Sequence, residues 1–283
     1  MKTLAEIKKD IEFNKGLSAL IETLKSIAVS QYRSLEKKIK LFTGFNPVFE
    51  SFFDTMDINS VYHPFLQHRN KPQIVVAVTS DSGLLGGLNL QVINTAVEEI
   101  EKIQGKIIVI GERGQVYLRG RGIPTANFPG IIDEERHSQA MQVRDYMVKE
   151  VLSGAFGQVK VVYPRPISFT VQRIETISFL PYVSQKKSEA KKSSAKPDTI
   201  MESAPSDIAE YLIYLWMGHE LYNIFGMSRL AEFAARYIHL EESAQKLKDI
   251  DKKTKLEYFR VRHELVDRTM RELFAAQLLY KRG

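Results

Sequence analysis

The chain contains no cysteine. That excludes disulfide frameworks and thiolate chemistry, and it suits a reducing, cytoplasm-like compartment. Proline is absent before Pro47 and after Pro205. Because proline breaks a helix interior, the two ends are where long uninterrupted helices can run. Long apolar runs are also missing: Ile74 to Val78 and Ile107 to Ile110 are strand-sized, far short of the ~20 apolar residues that span a bilayer. Met1-Lys2-Thr3 leads into charged sequence rather than the apolar segment of a signal peptide, so no targeting segment is expected. A dominant charge of one sign is lacking as well, with 40 basic against 34 acidic residues. That balance allows nucleic acid, an acidic membrane surface or an acidic protein as partner without choosing among them.

What is present is a pair of heptad seams at the two ends. From Ser206 onward one column takes Leu230, Tyr237, Ala244, Tyr258 and Leu265, and its neighbour takes Phe233, Leu240, Leu247 and Val261. A continuous helix over 206–283 would reach on the order of 110 Å at ~1.5 Å per residue, so it must meet something besides its own domain. At the other end Ile7, Ile21, Ala28, Leu35 and Phe42 form one column and Leu4, Ile11, Leu17 and Leu24 the next. Asn14 interrupts the first seam, and Asp251, Thr254 and Arg268 the last; polar seam residues set register at a cost in stability. Two amphipathic helices of this length satisfy their stripes most simply by packing on each other.

Between them the pattern changes. Ile74 to Thr79 predicts a buried strand, and Leu88 to Lys102 a helix with Leu90, Ile93, Val97 and Ile100 on one face. Lys106 to Ile110 predicts a second strand, Glu134 to Leu152 another helix, and Gln158 to Tyr163 and Ser168 to Ile177 two further strands. Alternating strands and helices imply a parallel sheet. The Lys, Ser and Ala-rich segment Ser184 to Lys196 has nothing to bury and predicts a mobile loop. The expected organisation is an N-terminal coiled-coil helix over 1–60, a central α/β domain over 70–182, a flexible loop and helix start over 183–205, and a long C-terminal helix over 206–283. In fold class this is α/β: a long coiled coil of the terminal helices plus a central Rossmann-like domain.

Catalytic chemistry is thin. Ser80-Asp81-Ser82-Gly83-Leu84-Leu85-Gly86-Gly87-Leu88-Asn89 is a glycine-rich strand-to-helix turn of the kind that cradles phosphate. It lacks the spacing of a dinucleotide fingerprint and the lysine of a phosphate-binding loop, so a tight structural turn is the favoured reading and nucleotide binding the alternative. His63, His68, His137, His219, His239 and His263 show no metal-ligand spacing on a common helical face, and no nucleophile motif gathers Ser, His and acidic residues. Neither a catalytic residue nor a cofactor or metal site is expected. The lysines of Ser184 to Lys196 leave a coiled-coil adaptor on nucleic acid as a further alternative, recognisable by a steep salt dependence.

Several segments together resemble the gamma subunit family of the rotary ATP synthases. Lys25-Ser26-Ile27-Ala28-Val29-Ser30-Gln31-Tyr32-Arg33 is similar to that family's Lys-Met-Val-Ala-Ala-Ser-Lys-Leu-Arg, and Thr79 to Asn89 to its Thr-Ser-Asp-Arg-Gly-Leu-Cys-Gly-Gly-Leu-Asn, with Ser82 and Leu85 as substitutions. Asp198 to Pro205 resembles its Asp-Tyr-Ile-Tyr-Glu-Pro-x-Pro. Ala231-Glu232-Phe233-Ala234-Ala235-Arg236 and Leu256 to His263 resemble its Ser-Glu-His-Ala-Ala-Arg and Leu-x-Tyr-Asn-Lys-x-Arg-Gln. Where the family has Arg-Gln-x-x-Ile-Thr, this chain has Arg262 to Asp267, which marks a divergent member.

The resemblance implies a rotating shaft rather than a catalyst. The terminal helices would form an antiparallel coiled coil inside a ring of three alpha and three beta subunits, and the middle domain would sit with epsilon on the membrane ring of c subunits. The protein would then be peripheral to the cytoplasmic face of a bacterial inner membrane, or an equivalent organelle membrane, and would take no nucleic acid. Proton or sodium coupling, and a synthase or a specialised ATP-driven motor, stay open. By position the resemblance implies beta contacts for Lys25, Arg33, Arg262 and His263, and contacts to the c ring and epsilon for Met201 and Glu202. The alternative for the basic residues is solvated coiled-coil charge, and for Glu202 a cap on the helix start. His263 replaces the family's amide with a group that titrates near pH ~6.5 when unperturbed.

Overall fold

The computed structural model describes residues 2–40, Phe49, Phe52, 61–67, 71–183 and 203–280. Phe42, the Ser184 to Lys196 segment, Met201 and Glu202 lie outside the described residues. In chain order the elements are α1 (Leu4–Lys40), β1 (Gln73–Val78), α2 (Leu88–Lys102), β2 (Gly105–Ile110), α3 (Glu112–Leu118), β3 (Thr125–Phe128), α4 (Arg136–Leu152), β4 (Gln158–Pro166), β5 (Gln172–Leu180) and α5 (Pro205–Tyr280). The starts of both terminal helices follow from local chemistry. The Thr3 hydroxyl accepts the Glu6 amide at 3.3 Å while the Glu6 carboxylate accepts the Thr3 amide at 2.7 Å, a reciprocal capping box. Pro205 occupies the first position of α5, where its missing N–H costs nothing and its fixed φ suits a helix. By contacts the chain divides into two compact units, Val29–Arg236 and Met1–Ala28 with Tyr237–Gly283.

The larger unit is built on a five-stranded sheet of order β3-β2-β1-β4-β5. β1 pairs in parallel with β2 and β4, and β2 with β3, while β5 runs antiparallel to β4. Because side chains alternate across a strand, Ile74, Val76 and Val78 enter one core and Val75 and Ala77 the other. The first core packs against α4 and the Ile213 to Phe225 part of α5, the second against α2 and Leu118 of α3. Each buried Ile, Val or Leu contributes about 1.5 to 3 kcal/mol, so the two layers hold the sheet between them. α4 crosses α5 antiparallel: the Arg136 guanidinium lies over Tyr222 and that of Arg144 over Tyr214. Gly218 sits between these stacks, and a Cβ there would meet Met141 Cε at 2.7 Å.

The observed elements depart from the sequence expectations in a few places. α3 and β3 were not expected. α4 starts at Arg136 rather than Glu134, and β5 starts at Gln172 rather than Ser168, past a turn over 167–171. On α2, Ile93, Val97 and Ile100 are buried as expected, but Leu90 is 38% exposed, and Val92 and Ala96 complete the buried face.

Glu99 joins α2 to the sheet. Its buried carboxylate accepts from Lys102 at 2.6 Å and from Lys160 of β4 at 2.5 Å. These bonds, Lys102's first and Lys160's second, hold its pKa below the ordinary 4.5. Lys102 is largely exposed and screened by water, so the bond to Lys160 is the stronger contributor to stability. With the folded pKa below the unfolded one, this stabilisation is present above the ordinary value of 4.5 and is lost as pH falls through the folded value. Glu99→Gln is expected to lower Tm at neutral pH and to flatten the acid limb of the stability profile. Thermal melts from about pH 3 to 7 test this, and parallel curves for the two proteins would exclude it.

In the smaller unit, α1 and α5 pack antiparallel. Lys25 pairs with Glu241 at 2.5 Å, while Lys2, just before α1, feels the field of Glu257, further along α5. The seam reads as the heptads predict: Ile21 packs with Leu240, Ala244 and Leu247, flanked by Leu17 and Leu24. Ile7 and Ala28 are fully buried, and Asn14 is buried at its own seam position. The described side chains from Arg262 to Gln277 are all exposed, Leu265 of the expected column among them.

Candidate functional site

In a doubly wound sheet, ligands bind in the crevice outside the carboxyl ends of the strands, where the strand order reverses. Here that reversal falls between β1 and β4, and the turn after β1 is the glycine-rich segment. Its polar side chains bond within the chain. The Ser80 amide donates to Asn89 Oδ1 at 3.2 Å, and Asn89 Nδ2 donates to Ser80 Oγ at 2.9 Å. Asp81 Oδ1 accepts the amides of Glu112 at 2.8 Å and Gly130 at 3.1 Å, tying together the turns after β1, β2 and β3. A Cβ on Gly130 would lie 2.3 Å from Asp81 Cγ, so only glycine allows this approach. Leu84 holds φ 63, a left-handed conformation that costs a leucine roughly 1 to 2 kcal/mol.

The crevice is filled by α5. Glu232, 4% exposed, accepts from Ser82 Oγ at 2.9 Å and from Arg236 Nη2 at 2.6 Å on one oxygen, and from Arg229 Nη1 at 2.5 Å on the other. Arg236 Nη2 also donates to Ser82 Oγ at 2.5 Å, and Arg229 Nε to Asp133 at 3.3 Å. Burial opposes the Arg229 cation, but Glu232 and Asp133 outweigh it and raise its pKa. Below this knot, Leu85 and Leu88 pack on Ala235, with Ile174 of β5 alongside. The turn that could have cradled a phosphate grips a helix instead, with a carboxylate at its centre.

The residues expected to meet partners are dispersed. Lys25 is largely enclosed: Glu241 and Glu22, at 2.5 and 3.1 Å, raise its pKa, and it lies over the Tyr237 ring. Arg33, Arg262 and His263 are exposed. His263 Nδ1 donates to the Phe259 carbonyl at 2.7 Å, which leaves Nε2 to meet an outside group. The sequence reasoning gave no role to Arg229, Glu232 and Asp133 in gripping the helix; the carboxylate of Glu232 among basic residues one turn apart was the only local signal.

Paired terminal helices and a doubly wound domain whose glycine-rich turn grips α5 define a stalk-type class of protein. A family model described as ATP synthase matches residues 3–276. The chain is similar to the ATP synthase gamma chain of Chlorobium phaeobacteroides, 23% identical over 288 residues and covering 97% of each. It is 25% identical over 279 residues to that of Clostridium beijerinckii, covering 95% of each. Its fold matches a chain of the Euglena gracilis mitochondrial ATP synthase with TM-score 0.71 and 15% identity, over 97% of this chain and 93% of that one. The chain belongs to the ATP synthase gamma-chain family, the central rotor stalk of those complexes.

Proposed function

We propose that this chain is the shaft that couples ion-driven rotation of a c ring to nucleotide turnover in a ring of alpha and beta subunits, with epsilon beside its α/β domain. The ion is a proton or sodium, and the complex is peripheral to the cytoplasmic face of a bacterial inner membrane or its organelle equivalent. The observation that carries this is the far part of α5, where Leu265, Val266, Met270, Leu273 and Phe274 are all at least half exposed among the described residues. Soluble chains rarely leave so dense an apolar stretch uncovered unless a partner covers it. Among the described residues no helix is long and apolar enough to cross a membrane, so the partner surface need not be lipid.

A shaft of this kind biases three like sites through contacts that change with its angle, because a ligand equilibrium shifts only by a difference in interaction between states. Arg262 and His263 border the apolar stretch and would meet a beta loop there; Arg33 would meet acidic beta residues lower on α1. Lys25 would serve the same contact while paired with Glu241, and Met201 and Glu202 would form the foot on the c ring and epsilon. Purification of the natively expressed chain tests the proposal. Alpha and beta subunits are expected to accompany it at three of each per copy of this chain, and its isolation without either would overturn the reading.

A further inference from the structure

The knot around Glu232 does more than close a crevice. The apolar contacts of Leu85, Leu88 and Ala235 are non-directional and involve a small side chain, so beyond the packed Ile213 to Phe225 stretch they do little by themselves to fix the rotation of α5. The bonds to Glu232 are directional: they weaken steeply when the donor angle closes. Three bonds cross from α5 to the domain on two sides, Glu232 and Arg236 to Ser82 in the turn after β1 and Arg229 to Asp133 in the segment after β3, while the bonds of Arg229 and Arg236 to Glu232 hold the three side chains to one another within the helix. The frame they hold to is stiff, since Asp81 ties the turns after β1, β2 and β3 together and Asn89 fixes Ser80. Ser82 stands where the resembling motif has arginine. A guanidinium can only donate, whereas this hydroxyl accepts from Arg236 while donating to Glu232, closing a ring of bonds.

We infer that Ser82, Arg229, Glu232 and Arg236 are positioning residues that lock α5 against turning about its own axis on the sheet, so that torque passes between the α/β domain and the helix under load. The inference rests on the rotor reading above and goes beyond it by naming the joint that carries the load. Without load the joint transmits almost nothing and its loss is silent; under load it is the place where the helix would slip.

The test uses the assembled complex carrying the wild-type chain, Ser82→Ala, Ser82→Thr or Glu232→Gln. Because the chain has no cysteine, Val171→Cys on the exposed turn before β5, assembled with cysteine-free partner subunits, gives a single handle for a bead on the α/β domain. For Ser82→Ala, ATP hydrolysis without load is expected to stay within about twofold of wild type, while bead rotation under viscous drag falls at least about threefold. Ser82→Thr, which keeps the hydroxyl, is expected to restore loaded rotation, and Glu232→Gln to lose more of it than Ser82→Ala. Equal loaded rotation in all variants overturns the inference, and so does a parallel loss of hydrolysis and rotation, which a merely structural role would give. If Glu232→Gln does not assemble, the Ser82 pair decides alone. If the wild-type chain itself does not assemble with alpha and beta subunits, the rotor reading fails, and this inference with it.

Discussion

Gly105→Ala is expected to destabilise the α/β domain by more than about 3 kcal/mol, or to prevent its folding. Gly105 opens β2 opposite Gln73 of β1 in the parallel ladder. A Cβ at this position would lie 1.8 Å from the Gln73 carbonyl oxygen and within 3 Å of that residue's carbonyl carbon and nitrogen. All three are backbone atoms, so no rotamer change relieves the clash. β1 cannot retreat either: the fully buried Gln73 donates through Nε2 to the carbonyls of Glu99 and Ile103, pinning the strand to the end of α2. Gly16→Ala is the control. Nothing lies within 4 Å of its Cβ position in the middle of α1, so alanine there should stabilise by about 0.5 to 1 kcal/mol through helix propensity alone. Yield and Tm of the two purified variants decide the matter, and a Gly105→Ala protein that melts like wild type would mean that β2 does not start in this register.

Much of the fold was legible because its signals are local. A heptad needs only its own helix to be read, and Ile7, Ile21, Ala28, Leu35, Leu230, Phe233, Leu240 and Leu247 are all buried at their seam positions. The apolar runs of β1, β2 and β4 announce strands covered on both faces. β3 gave no such signal because it is a four-residue edge strand with alternate side chains exposed, so Thr125 and Asn127 suit it as well as any apolar residue. Leu90 was misplaced on the α2 face because a few apolar residues fit two neighbouring stripes of a helix, and the sheet, not the helix, chooses between them. The joint was illegible for a different reason. Ser82 and Glu232 are 150 residues apart, and neither sequence neighbourhood hints at the other. The glycine-rich turn could be recognised as a special turn, but what it holds is decided by the path of α5 through the crevice.

The far part of α5 gives the other large effect. Val266→Asp with Leu273→Asp places two carboxylates seven residues apart on one face of the helix, at positions about half exposed or more. Neither belongs to a buried cluster among the described residues, and aspartate is close to valine and within about 0.7 kcal/mol of leucine in helix propensity, so the chain's own stability should change by less than about 1 kcal/mol per site. In the assembled complex the same face would sit against a protein cavity. An unpaired carboxylate in a dry contact costs several kcal/mol, and each ~1.4 kcal/mol is a factor of ten, so coupled turnover should fall by roughly a hundredfold or the complex should fail to form. Val266→Leu with Leu273→Met keeps the surface apolar and should leave turnover within about threefold. Circular dichroism and Tm of the isolated chains would establish that both pairs fold alike. If the aspartate pair then supports assembly and coupled turnover like wild type, this end of α5 stands free in the complex, and the apolar face cannot be what joins the shaft to its ring.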